Sequence, residues 1–97
     1  MRKKFEFEFE DQACDNSISF DYDESFDEKI SVLIENGVPV IYANRSAFIL
    51  LAKTLAKMAL CDYSNGFHVH LYQDFNADEP EALRVILDET EETTNQS

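Results

Sequence analysis

The chain has no tryptophan, and only two glycines and two prolines among its 97 residues. Loops that cradle phosphate groups draw on several glycines, so a P-loop or a dinucleotide fingerprint is excluded, and no nucleophile elbow is present. The same scarcity implies few and short connections. The two cysteines, Cys14 and Cys61, form no Cys-x-x-Cys pair, which removes support for a zinc knuckle or a dithiol redox motif. Two free thiols are expected. No stretch approaches the roughly 20 apolar residues of a membrane-spanning helix. Met1-Arg2-Lys3-Lys4 looks like the start of an export signal, but Phe5 onward alternates with glutamate instead of running apolar. A cytoplasmic protein is expected.

Positive charge is also scarce. Eight bases stand against twenty acids, for a net charge of −12. Affinity for a phosphate backbone needs clustered Lys and Arg, so no nucleic-acid partner is expected. The acids are unevenly placed. Phe5 to Asn44 carries eleven against the single base Lys29, whereas Arg45 to Cys61 carries Arg45, Lys53 and Lys57 and no acid.

The sharpest pattern present is Phe5-Glu6-Phe7-Glu8-Phe9-Glu10. A two-residue alternation puts the phenylalanines on one face of an extended chain and the glutamates on the other. Ile18 to Asp23 repeats it, with Ile18, Phe20 and Tyr22 inward and Ser19, Asp21 and Asp23 outward. A hairpin of these two segments is expected. Lys29 to Ile34, ending at the turn dipeptide Asn36-Gly37, fits a strand or a single helical turn, the strand being preferred, and Val38 to Ala43 reads as a further strand, with Pro39 near its start.

Asn44-Arg45-Ser46 opens the one convincing helix, capped by Asn44 or Ser46 and spanning about 45–62. Phe48, Leu51, Ala52, Leu55, Ala59 and Tyr63 form its expected inward stripe, widened by Ile49, Ala56 and Leu60, and Lys53 and Lys57 its solvent face. Asn65-Gly66 supplies a helix stop. Phe67 to Tyr72 and Ala82 to Leu87 complete the strands, separated by the polar loop 76–80. These elements predict an α+β fold of two layers. An antiparallel sheet of about five or six strands is covered on one face by a single amphipathic helix. Residues 1–88 form one domain, and 89–97 a disordered acidic tail.

The uncovered sheet face is then expected to carry Glu6, Glu8, Glu10, Asp21, Asp23, His68, His70 and Tyr72. Such a carboxylate array steers a basic protein partner, and it equally serves solubility and discourages edge-to-edge aggregation. His68-x-His70 is the one pair suited to a metal, the two Cα atoms lying about 7 Å apart on a strand. No third ligand sits at a recognisable spacing, so neither metal nor cofactor is assigned. Catalytic carboxylates want a concave, desolvated pocket, which an open sheet face does not provide, so no enzymatic activity is expected.

Tyr42-Ala43-Asn44-Arg45, the Leu- and Ala-rich helix, Asp62-Tyr63-Ser64-Asn65-Gly66-Phe67-His68-Val69-His70-Leu71, Asp74-Phe75 and Ala82-Leu83-Arg84-Val85-Ile86-Leu87 carry a resemblance over about residues 41–87. This stretch resembles small α+β immunity proteins of bacterial polymorphic toxin systems. The resemblance implies a non-enzymatic protein that binds and neutralises a cognate toxin, and a basic, nuclease-type toxin would suit the acidic surface. Two other readings stand beside it: a metal-binding protein using His68 and His70, and a homodimer pairing sheet faces.

Overall fold

The computed structural model describes residues 1–22 and 27–89. Four strands and one long helix make up the regular structure: β1 (Ile30–Glu35), β2 (Val38–Ala43), α1 (Arg45–Leu60), β3 (His68–Tyr72) and β4 (Glu81–Ile86). The fold is α+β, as expected, but its strands form two separate two-stranded antiparallel sheets, β1–β2 and β3–β4. The expected five- or six-stranded sheet under one helix is therefore incorrect.

The first hairpin follows its turn chemistry. Asn36 and Gly37 both take positive φ, 54° and 78°, which matches the twist of the flanking strands and fixes the register at Glu35 opposite Val38. Pro39, opposite Ile34, sits in a sheet of two strands, where each strand has a free edge and a missing N–H is tolerated. The second hairpin pairs Val69 with Val85 and Leu71 with Leu83, with an irregularity between Leu71 and Tyr72. Asp74 joins the two hairpins, its Oδ1 accepting from the Ile30 amide at 3.0 Å.

Asn44 is the helix cap. Its side chain accepts from the Ala47 amide at 3.0 Å and also from the Lys29 amide at 3.1 Å, so one residue closes both the helix start and the base of the first hairpin. The helix ends at Leu60, where Cys61 turns extended. Asn65-Gly66 is not its stop; Gly66, at φ 92°, instead forms the turn that launches β3.

The helix buries only part of the expected stripe, with Leu51 and Tyr63 inside as expected but the centre of the buried face rotated away from the rest. Ala47, Leu50, Leu51, Thr54, Lys57 and Met58 face the core, while Phe48, Ala52, Leu55 and Ala59 are exposed. Both faces are apolar, so hydrophobic periodicity alone could not choose between them. The core gathers Ile30, Ala47, Leu51, Met58, Val69 and Leu71, and Ile18 and Phe20 pack against it. Tyr63 is buried and stacks on Phe67 with ring centroids 3.9 Å apart.

Neither N-terminal alternation forms a strand. Phe5 to Glu10 runs without a ladder, yet its phenylalanines do share a side: Phe5–Phe7 and Phe7–Phe9 centroids lie 5.5 and 5.0 Å apart. Alternation gives two side-chain faces, but a ladder also needs a neighbouring strand edge, and among the described residues the strands pair only as β1–β2 and β3–β4. Lys53 Nζ sits 5.8 Å from the Phe7 centroid and Lys57 Nζ 6.0 Å from that of Phe9. Ile18 to Tyr22 is likewise held by side chains. Tyr63 donates its hydroxyl to the Ser17 carbonyl, and Lys57 donates to the Ser19 carbonyl. Among the described residues no helix is long and apolar enough to cross a membrane. Of the expected tail, Glu89 is tied by its amide to Asn65 Oδ1 at 2.6 Å, and the rest lies outside the described residues.

Candidate functional site

With the two N-terminal segments outside the sheets, the expected outer sheet face does not exist as one surface. The structure sorts its residues into two groups, and Asp23 lies outside the described residues.

The first group lies along α1. Phe7 and Phe9 turn towards the helix and are partly buried, so Glu6, Glu8 and Glu10 point outward and are exposed. Glu6 meets Lys4 at 2.7 Å, a solvated pair that confers little. Asp11 ends the row and has a structural task. Its carboxylate accepts from the Ala13 amide at 2.8 Å and the Asp62 amide at 3.1 Å. These two bonds, Ala13 first, hold its pKa below the ordinary value.

Asp21 is not free on this surface. Lys57, expected in solvent, is only 4% exposed and reaches Asp21 at 2.6 Å and the Ser19 carbonyl at 2.8 Å. Its aliphatic stem lies in the core stripe and its ammonium comes out between the N-terminal segments. The sequence signal that could have found it is the stripe Ala47, Leu50, Thr54, Cys61, which includes position 57 at helical spacing.

The second group is His68, His70 and Tyr72 on β3, alternating with buried Val69 and Leu71. The two imidazole centroids are 5.0 Å apart. His70 Nδ1 lies 2.8 Å from Glu81, which also receives Arg84 through two bonds of 3.0 and 2.9 Å. Arg84, and then His70, push the Glu81 carboxyl down from 4.5 to about 2. Glu81 and Arg84 were not anticipated as members of this group. They follow from β4 pairing antiparallel to β3, with Arg84 opposite His70 and Glu81 opposite Tyr72. His68 Nδ1 stands 3.3 Å from the Gly66 carbonyl. Among the described residues no group of three or more His, Cys, Asp or Glu is placed to hold a metal ion, so His68 and His70 do not extend into a ligand set.

No hydrogen bond or ion pair among the described residues connects the two groups. An open concavity of about 840 Å³ lies near the start of α1, lined by Asp21, Glu28, Asn44, Arg45, Ile49 and Lys53. Its wall mixes both signs of charge with aliphatic surface, and its one described hydroxyl, Ser46, donates to the Asn44 side-chain oxygen at 3.3 Å. Cys14 is exposed and Cys61 buried, both as free thiols. Burial, chiefly, and the nearby Asp11 carboxylate push the Cys61 thiol up, away from the reactive thiolate form. Comparison with known protein families, with curated proteins and with solved structures yields no match to this chain.

Proposed function

We propose that this protein is a non-enzymatic binding module that presents the carboxylate row Glu6, Glu8 and Glu10 to a basic protein, acting as an immunity protein against a toxin domain. The carrying observation is the anchoring of the Phe-Glu segment. Phe7 and Phe9 are partly buried against α1, with Lys53 and Lys57 over their rings, while Phe5 and all three glutamates are exposed. A carboxylate row on an anchored backbone is already ordered before docking, so less side-chain and chain entropy is lost on binding. Its field would speed encounter with a basic partner and weaken with salt. The resemblance over residues 41–87 supports the toxin as that partner, and Tyr72 with the His70–Glu81–Arg84 cluster offers a second contact patch. In the cell this module would act from the cytoplasm, where a toxin made by the same cell must be blocked.

The test is affinity capture from the native host at low and at high salt, repeated with Glu6, Glu8 and Glu10 all changed to Gln. A basic protein retained at low salt, released at high salt and lost with the triple variant is expected. Equal retention by the triple variant would remove the carboxylate row from the interface.

A further inference from the structure

Alternation along β3 sends Val69 and Leu71 into the core and His68, His70 and Tyr72 to the other side. The ladder to β4 holds the backbone that carries the two histidines, with His68 opposite Ile86 and His70 opposite Arg84. Only side-chain torsions are left to adjust.

Each imidazole has one nitrogen already engaged. His68 Nδ1 lies 3.3 Å from the Gly66 carbonyl, and His70 Nδ1 lies 2.8 Å from the Glu81 carboxylate. A carbonyl oxygen only accepts, so Nδ1 of His68 carries the hydrogen. Glu81, its carboxyl held down at about 2, is ionised at neutral pH and also only accepts, so Nδ1 of His70 carries one too. In the neutral rings the lone pair then sits on Nε2 of both residues. This is a tautomer in which histidine binds metals, with an oxygen behind the ring fixing its orientation.

The separation of the rings suits one shared ion. An imidazole nitrogen binds zinc at about 2.0–2.1 Å and its ring centre lies about 1.1 Å further on, so two rings at a tetrahedral angle on one ion have centroids about 5.2 Å apart. The observed separation is 5.0 Å. The ring planes stand at 77°, so closing on an ion breaks no face-to-face stack.

The surrounding charge permits a cation. Arg84 is taken up by Glu81 through bonds of 3.0 and 2.9 Å, and the chain as a whole carries −12. Imidazole donors select a late transition metal over calcium or magnesium, which take oxygen ligands. Among the described residues no third His, Cys, Asp or Glu completes the set, so the chain supplies a pair of ligands and water the rest. We propose that Nε2 of His68 and Nε2 of His70 chelate a single Zn²⁺ ion on the outer face of β3, with water in its remaining positions. This site uses none of Glu6, Glu8 and Glu10, so it and the docking function can each fail alone.

Equilibrium dialysis of the full, reduced chain against Zn²⁺ is the first test, with excess Mg²⁺ present to occupy surface carboxylates. One ion per chain is expected. His68→Ala and His70→Ala should each weaken binding more than about tenfold while leaving the helical circular dichroism unchanged. Cys14→Ser, which removes the exposed thiol, should bind as tightly as the original chain. A second measurement needs no variant: in long-range proton–nitrogen NMR of the imidazoles, Zn²⁺ should shift Nε2 of both rings while each Nδ1 keeps its hydrogen. No ion retained in the presence of Mg²⁺, binding that survives either alanine variant, binding lost with Cys14→Ser, or a shift confined to one ring or to Nδ1 would each overturn the proposal.

Discussion

Lys57 is the residue whose removal and whose isolation should have unequal costs. Its ammonium is nearly fully buried and has two partners, Asp21 at 2.6 Å and the Ser19 carbonyl at 2.8 Å. Asp21 itself is about half open, with 42% of its side chain in contact with water. Asp21→Asn leaves the buried cation without its counter-charge. For a fully buried pair such a loss costs 3–5 kcal/mol; with one partner half solvated, about 2 kcal/mol is expected. Lys57→Met keeps the aliphatic stem in the core and removes the charge. Asp21 then returns to water, and the remaining cost is the lost bond to Ser19, about 1 kcal/mol or less. The double variant should therefore resemble Lys57→Met, with a coupling of about 1–2 kcal/mol. Urea unfolding measures this as shifts in midpoint at constant m, and the differences are a large share of the about 5–15 kcal/mol total stability of a domain. If Lys57→Met is as costly as Asp21→Asn, or if Asp21→Asn is neutral, the account of Lys57 as a buried charge dependent on Asp21 is wrong.

Two further outcomes are expected. Glu81 is ionised more readily in the fold, at about 2 against 4.5, so its contribution is fully present above pH 4.5 and is lost as pH falls towards 2; carboxyl-carbon titration by NMR should show this, and Arg84→Ala should return the midpoint towards 4.5. Gly37 has open space around its missing side chain but a φ of +78°, so Gly37→Ala should cost about 1–2 kcal/mol in urea unfolding through backbone strain alone; no loss would mean that the turn relaxes to another type.

What the sequence reveals depends on whether the determinant is local. Val38 to Ala43 is a strand over those same residues because a proline tolerable at an edge, β-branched residues and the Asn36-Gly37 turn act within a few positions. The helix start is legible for the same reason, since Asn44 caps an amide three residues away. Its buried face is not, because Phe48 and Leu51 are equally apolar and only the rest of the molecule decides which one is covered. The Phe-Glu alternation forms no strand, but it does put the phenylalanines on one side and leave Glu6, Glu8 and Glu10 exposed. It misleads about pairing, because a ladder depends on an edge contributed from elsewhere in the chain. For the same reason the eight expected surface residues divide: Asp21 is drawn to Lys57, 36 positions on, and His70 is joined to Glu81 only once β3 and β4 pair.

The contacts of Phe7, Phe9, Ser19 and Asp21 with α1 also bear on how the chain is made. Synthesis runs from the N-terminus at about 5–20 residues per second, so the Phe-Glu segment leaves the ribosome well before its docking site. Lys57, which receives Ser19, Asp21 and Phe9, is among the last helix residues to emerge. Until then three phenylalanines in extended chain stand without a partner, a segment prone to join another nascent copy. The interleaved glutamates act during this interval as gatekeepers, holding like segments apart by repulsion. Replacing them would harm the yield of folded protein even where the finished fold is unaffected.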